Sequence, residues 1–530
     1  MGLLRLKRLM SIQRERKRRQ QIQGRNGSIT SVPHKKDSLS QEDDHSQGDG
    51  RLTCFGPILS EDIWCHIHSL MPLRDSARSA VVSRAFLHHW RCHPKLTFTE
   101  EAVGLKENAC QHNDIAKGFI SRVDHILKNH SGFGVKRLEL IIPDDGNVDA
   151  GHLNGWLQSA ITPGIEEVIL VLPTKYGAKF NFPCSIFLDG RGNSIQFIYI
   201  HDCAFRSPVG FDYLRSLTKL YLSHVRITGD ELMNLFSKSF NLEELDISDC
   251  HEIIRLKIPL CLEPLSCLIV AGCDMLQVIE SAAPNLSTFD FFREPIELSL
   301  GEYSPVKNLI VNFPYGPNSV SYAITKLPPI VPYLETLTIF SNYETVNTPM
   351  VANKFLHLQC LKIYLTDDKD VVPAYDYLSL VSFLNASPVL ETFILSVDPD
   401  DVERDSIFEA ISPMRQIPEY KHARLKNVQI SGFCSAKSTI ELACHIVENA
   451  TSLESLTLDS IFDEVWGAGT VRCEGRKFGK CRPISRHMIL EAYKAIRVIK
   501  KYILGRVPST VKLNVLEPCS RCHVVDVKLL

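Results

Sequence analysis

The stretch Leu242-Glu243-Glu244-Leu245-Asp246-Ile247-Ser248-Asp249-Cys250 sets apolar residues at its first, fourth and sixth places and a cysteine at its ninth. Successive strand residues point to opposite faces, so Leu245 and Ile247 share one side of a short strand while Glu244 and Asp246 take the other. The frame returns at Ile195/Ile198/Ile200, which runs on to Cys203, and at Val135/Leu138/Leu140, Ile165/Val168/Leu170, Leu217/Leu220/Leu222, Leu265/Leu268/Val270, Leu286/Phe289/Phe291 and Val306/Leu309/Val311. It continues at Leu334/Leu337/Ile339, Leu358/Leu361/Ile363, Leu390/Phe393/Leu395, Leu425/Val428/Ile430 and Leu453/Leu456/Leu458. One such unit cannot bury its own apolar side, but stacked copies form a parallel sheet whose inward residues make a continuous core.

Spacings of about 20 to 35 residues between frames fit a leucine-rich repeat with uneven convex loops. The expected fold class is α/β: a curved parallel sheet with a helical or irregular convex side. Cys203, Cys250 and Cys273 then face inward beneath a loop, as packing and weak hydrogen-bonding residues rather than reactive thiols. Residues between the inward positions face the concave side: Phe197, Tyr199, His201, Lys219, Tyr221, Glu244, Asp246, Phe292, Phe340, Lys362 and Tyr364. Aromatic anchors among mixed charge suit recognition of a protein or peptide, or of a small ligand acting as glue. The alternative for each aromatic is packing on a neighbouring repeat.

Residues 1–50 are polar and poor in aromatics, basic from Arg5 to Lys36 and acidic with Ser and Gly from Asp37 to Gly50. Such a segment cannot offset its ordering entropy, so a disordered tail is expected. Within it, Arg14-Glu15-Arg16-Lys17-Arg18-Arg19 reads as a nuclear import signal or weak phosphate-binding arm, or as a solvated charged run. Order is expected from about Gly56. Leu59, Ile63, Ile67 and Leu70 recur at helical spacing behind a cap at Ser60, Ala77, Ala80 and Val81 form a second stripe, and Phe86, Leu87 and Trp90 a third, punctuated by Pro72 and Pro94. Three short helices in about forty residues leave apolar side chains for a partner to cover.

Leu59-Ser60-Glu61-Asp62-Ile63, then Met71-Pro72-Leu73-Arg74-Asp75-Ser76-Ala77-Arg78, then Val82-Ser83-Arg84 and Trp90 resemble an F-box, with Ser60 where the family usually has proline. The resemblance implies docking on the Skp adaptor of a cullin-based SCF ubiquitin ligase through Leu59, Ile63, Ile67, Pro72, Leu73, Ala77, Val81 and Trp90. Leu425-Lys426-Asn427-Val428-Gln429-Ile430-Ser431-Gly432, with Glu441-Leu442, Glu448-Asn449-Ala450 and Leu453-Glu454-Ser455-Leu456, resembles the FBD-type region of plant F-box/leucine-rich-repeat proteins. Together they imply a tail over 1–50, an F-box over 51–98, a solenoid over 99–460 with the FBD-like region from about 420, and a cap over 461–530. In that cap a helix over Ile489 to Leu504 should precede a closing strand around Thr510 to Leu516.

A chain of 530 residues with a net charge of −2 has length for several domains or a repeat array and gives its folded part no basic excess for nucleic acid. Seventeen singly scattered cysteines, and no sustained apolar run behind Arg5, Lys7 and Arg8, point to reduced thiols in the nucleus and/or cytoplasm. The apolar run around Leu260 to Met275 is too short and interrupted to span a membrane, and Leu6 replaces the Ser or Thr of a myristoylation signal. Cys519-Ser520-Arg521-Cys522-His523 has haem-attachment spacing without an export context. Cys473, Cys481, Cys519 and Cys522 offer zinc-ligand chemistry, but the first pair is too widely spaced for a knuckle, so no metal and no cofactor are expected. His66, His68, His88 and His89 lack metal-like companions, and no phosphate loop, nucleophile elbow or HExxH motif occurs, so no catalytic residue is assigned. The expected function is a non-catalytic substrate-recognition subunit that binds a Skp-type adaptor, through it a cullin, and an unidentified target protein. The alternatives are a scaffold that delivers no substrate and an enzyme with a C-terminal metal site.

Overall fold

The computed structural model describes residues 60–105, 112–132, 134–144, 147–174, 180–187, 190–207, 213–301, 304–314, 316–351, 353–366, 375–398, 406–408, 413–415, 420–462, 481 and 484–523. Leu59 and the charged tail lie outside the described residues. Contacts divide the chain into two units, Met1–Leu70 and Met71–Leu530.

The described part of the first unit is the helix Glu61–Leu70, whose opening amides at Ile63 and Trp64 donate to the Ser60 carbonyl at 3.0 and 3.2 Å. Ile63 is 45% exposed.

The second unit starts with two helices, Leu73–Ser79 and Arg84–Arg91. Pro72 caps the first with the fixed φ that suits a helix entry, and the Ser83 hydroxyl accepts the Phe86 amide at 3.1 Å to cap the second. Leu73 and Trp90, expected to face an adaptor, are only 5% and 9% exposed and join the buried cluster that includes Leu96 and Phe98. As they stand they brace the end of the sheet. Val81 and Val82, in the turn between the helices, are 88% and 78% exposed.

Among the described residues fifteen parallel strands then form one sheet, and every repeat frame read from the sequence is one of its strands. The register is continuous: Leu245 stands between Leu220 and Leu268, and Leu268 between Leu245 and Phe289. All four are at most 1% exposed, and this row is the core. Parallel strands with crossover connections tolerate this stacking because each connection returns over the convex side. There the segment Gly229–Phe236 is helical, with Thr228 and Glu231 forming a reciprocal capping box and Leu232, Leu235 and Phe236 buried beneath it.

Two strand sets escaped the sequence reading. Lys95–Phe98 opens the sheet by pairing with the strand Arg137–Ile141, so residues 95–98 belong to the solenoid rather than to the helical module assigned to 51–98. Its leading inward place is held by His93, 1% exposed, whose Nε2 lies 3.3 Å from the Met71 carbonyl and whose Nδ1 contacts the Lys95 backbone. On the convex side, Arg255–Ile258, Val278–Ser281 and Glu297–Ser299 form a second, three-stranded sheet. It falls where the repeats are shortest, too short for a helix to make the return.

Cys203, Cys250 and Cys273 are fully buried, and the last two thiols point at carbonyls, Cys250 Sγ at Ser248 O (3.5 Å) and Cys273 Sγ at Ala271 O (3.5 Å). Burial pushes the Cys273 thiol up to about 12 and raises the other two well above the ordinary thiol range, which disfavours the reactive thiolate in all three. At the far end, the helix Arg486–Val498 runs into a wider turn, Ile499–Ile503, before the strand Lys512–Leu516 closes the sheet against Ser455–Asp459. No described helix is long and apolar enough to cross a membrane.

Candidate binding face

Strand alternation turns the residues between the buried rows toward the other face of the sheet, as the sequence reading expected. The ladder sets them in columns. Phe197, Lys219 and Glu244 are neighbours in one row, Tyr199, Tyr221 and Asp246 in the next, and His201, Ser223 and Ser248 in the third. Within this patch Lys219 Nζ lies 2.7 Å from Glu244 Oε1, and Tyr221 Oη donates to Glu244 Oε2 at 2.5 Å. Phe197 meets Tyr221 edge to face at 5.2 Å, and Ser248 donates to Asp246 at 2.6 Å. Burial, aided by the Glu244 hydrogen bond, pushes the Tyr221 phenol far above its ordinary range, so it stays a neutral donor. The patch is therefore a fixed, polar-rimmed aromatic surface, its side chains already paired in the conformation they present.

A second patch gathers Phe292, Phe340, Lys362 and Tyr364 toward the middle of the sheet. Phe340 and Tyr364 are adjacent partners in the ladder and stack at 4.7 Å with planes 13° apart, while Asn312 separates Phe292 from Phe340. Tyr199 and Phe340, expected as open anchors, are 5% and 8% exposed. Their rings are covered within the sheet, so they support the face more than they offer it, as the packing alternative allows. The remaining concave residues, Phe197, His201, Lys219, Tyr221, Glu244, Asp246, Phe292, Lys362 and Tyr364, are partly exposed.

With this geometry in view, residues 126–520 match the family model described as At1g61320/AtMIF1, LRR domain. The chain belongs to this plant F-box/leucine-rich-repeat family. The F-box/FBD/LRR-repeat protein At1g13570 of Arabidopsis thaliana is 22% identical over 430 residues, covering 78% of this chain and 92% of the relative. The F-box/FBD/LRR-repeat protein At3g51530 of the same plant is 27% identical over 188 residues, and there the match covers 35% of this chain and 37% of the relative. The F-box/LRR-repeat protein At3g49150, also from Arabidopsis thaliana, is 26% identical over 199 residues, or 36% of this chain and 29% of its own length. The chain thus spans about a third of those last two relatives. Among solved structures, a leucine-rich repeat protein from Bacteroides ovatus ATCC 8483 aligns at 10% identity over 67% of this chain and 84% of its own, with a TM-score of 0.14. The fold here rests on the sheet itself.

One feature of the sheet carried no sequence signal beyond position: a row of left-handed residues just past the strands. Asp202, His224 and Asp249 have φ of 64°, 54° and 54°, and Gly272 continues the row at 59°. This turns the His201 and His224 rings to within 5.2 Å of each other and His224 Nδ1 to 3.5 Å from Asp249 Oδ2. Burial, reinforced by His224 beside it, holds His201 down at about 4. Farther along, His422 and His445 meet Nε2 to Nε2 at 3.3 Å, and burial, then His445, holds His422 at about 4.

A pH dependence follows. An unfolded histidine titrates near 6.5, so a histidine held at about 4 contributes its full stability above pH 6.5 and loses it as the pH falls toward 4. Allowing for partial solvent access, each of His201 and His422 is worth about 2 kcal/mol over that window. Glu344, pushed by burial from 4.5 up to about 7, has the opposite sign and gains stability over the same fall. Two histidines outweigh one carboxyl, so the melting temperature should drop between pH 6.5 and 5. A melting curve series that rises over this interval would show that Glu344 dominates.

Elsewhere, a groove of about 550 Å³ opens between the helices His112–Asn129 and Ala150–Ala160, lined by Asp124, His152 and Trp156 among others. His152 Nδ1 lies 2.8 Å from Asp149, and Trp156 Nε1 donates to Asp124 at 2.6 Å. The first contact lies within the second helix and its cap, and the second ties the two helices together. Of the helical histidines, His66 and His88 are exposed, whereas His68 and His89 are buried.

Proposed function

We propose that the chain is the non-catalytic substrate-recognition subunit of an SCF-type cullin ubiquitin ligase, acting in the nucleus and/or cytoplasm. Its N-terminal helices dock on a Skp-type adaptor, and its concave face holds a target protein. The observation that carries the reading is the exposed apolar Val81, at 88%, within a stretch that resembles an F-box in a chain whose relatives are named F-box/LRR-repeat proteins. With Val82, at 78%, Val81 leaves a contiguous apolar spot in the turn between helices that a partner can cover. Ile63, at 45% exposed, is a second contact, and Ile67, Pro72 and Ala77 are further ones, while Leu73 and Trp90 are buried against the solenoid. Bound this way, the chain raises the concentration of a target lysine near a charged ubiquitin-conjugating enzyme, and none of its own groups needs to touch the thioester.

On the concave face, Tyr221, Glu244 and Asp246 supply an ordered polar and aromatic surface, with Lys362 and Tyr364 as a second foothold. Reconstitution with adaptor, cullin and conjugating enzyme tests the whole reading. A bound partner should be ubiquitylated by the wild type, and a Tyr221→Ala, Asp246→Lys variant should keep the adaptor but lose the partner's modification. A partner that binds the concave face yet is neither modified nor stabilised by cullin inhibition would make the protein a scaffold instead.

A further inference from the structure

We propose that Cys481, Cys519 and Cys522 bind one zinc ion that fastens the C-terminal cap of the solenoid. The three residues come from separate stretches, Cys481 ahead of the helix Arg486–Val498 and the CxxC pair just after the closing strand Lys512–Leu516. Their sulfur atoms nevertheless all lie within 4.8 Å of one another, the one such group of three potential metal-ligating residues among the described residues. None of the three is in a disulfide.

The geometry fits a thiophilic cation. Zinc–sulfur bonds of about 2.3 Å at the tetrahedral angle place neighbouring sulfurs roughly 3.8 Å apart, a small contraction of the group as it stands. The His523 amide donates to the Cys519 carbonyl at 2.9 Å, closing a tight turn that carries Cys519 and Cys522 on one loop. Cys481 is buried, Cys519 half-buried and Cys522 exposed, so the group has a closed side and an open one through which a metal can enter. Three sulfur donors select zinc over magnesium or calcium, which take oxygen. Binding displaces the three thiol protons to solvent, and water takes the fourth position. The Cys473–Cys481 spacing that argued against a knuckle in the sequence does not bear on this group, since Cys473 lies outside the described residues and it is the fold that brings Cys481 to the CxxC pair.

The consequence is mechanical. Among the described residues the closing strand pairs on one side only, with Ser455–Asp459, at the edge of the sheet. A metal joining Cys481 to the turn after that strand closes a loop containing the cap helix and the strand, and so holds the edge in place.

The test uses the full chain purified under reducing conditions without chelator. Elemental analysis should find about one zinc per chain, falling at least fivefold in Cys481→Ser, Cys519→Ser and Cys522→Ser, and unchanged in Cys261→Ser, an exposed cysteine outside the group. Cobalt exchanged into the wild type should give the sulfur-to-cobalt charge-transfer and visible bands of a tetrahedral thiolate site. Since a serine variant can misfold, a thiol-reactive mercurial added to folded wild type should also release the zinc to a chromogenic chelator. Folded, reduced wild type without zinc or cobalt bands, a disulfide among these cysteines in place of metal, or zinc retained in folded serine variants would each overturn the proposal.

Discussion

Gly432→Val is expected to destabilise the solenoid by about 4 kcal/mol or more, among the largest effects a single substitution can have. Gly432 follows the strand Asn427–Ser431 with a φ of +70°, where a β-branched side chain is strained before any contact is counted. A Cβ at this position would sit 1.8 Å from the Val397 carbonyl oxygen and 3.3 Å from Phe462 Cβ. The Gly432 amide also donates to Ile461 at 3.1 Å, so the backbone is held from the following repeat while the clash comes from the preceding one. Val397 cannot yield without disturbing its strand pairing with Leu365. Gly505, with nothing within 4 Å of its added Cβ, is the control, and Gly505→Ala should be neutral or slightly stabilising. Urea unfolding of both variants measures the difference. A Gly432→Val protein within about 0.5 kcal/mol of wild type would mean that the close approach of these repeats is wrong.

The second large effect is expected at Arg415. Its amide and guanidinium reach Glu441, whose side chain is fully buried, at 2.6, 2.8 and 2.6 Å, and its outer nitrogens reach Asp376 at 2.7 and 2.8 Å. Asp376 in turn caps the short helix Tyr377–Leu380 by accepting the Leu378 amide. Arg415→Met leaves the Glu441 carboxylate buried with its strongest partner gone, a loss of about 2 kcal/mol once the half-exposed position of Arg415 is allowed for. Glu441→Gln should cost less, because the amide oxygen still accepts the Arg415 backbone hydrogen and no buried charge is orphaned. Chemical denaturation of the two variants, alone and combined, checks the order. A larger loss in Glu441→Gln than in Arg415→Met would contradict the account.

How far the sequence could be read follows from where the energy is local. The frame of Leu242-x-x-Leu245-x-Ile247 states its own burial, since period-two alternation puts each apolar residue inward whatever the neighbours do, and every frame so read is a strand. The first strand was missed because His93 stands where the frame wants an apolar residue, and its hydrogen bonds to backbone at Met71 and Lys95 come only from folding. Ile253, Leu256 and Ile258 repeat the frame on the convex side, too close to the preceding repeat to stand out as a strand of its own.

The concave face was legible as a register and illegible as a surface. Tyr199 and Phe340 occupy the expected positions, yet their exposure depends on the rings beside them, as the Phe340–Tyr364 stack shows. Leu73 and Trp90 sit within the motif that suggested an adaptor contact, but the sheet below needed them more. The cysteine trio reverses the case: each residue was visible, and only the path of the cap between positions 481 and 519 brings the sulfurs together.

Docking is read by a pull-down of a Skp adaptor and cullin with the full chain, wild type beside Ile63→Asp with Val81→Asp, after circular dichroism confirms an unchanged solenoid. The wild type should form a stoichiometric complex and the variant should lose about tenfold or more in affinity, as expected when apolar contacts at a docking site are replaced by charge. A well-folded wild type that captures neither adaptor nor cullin would contradict the docking.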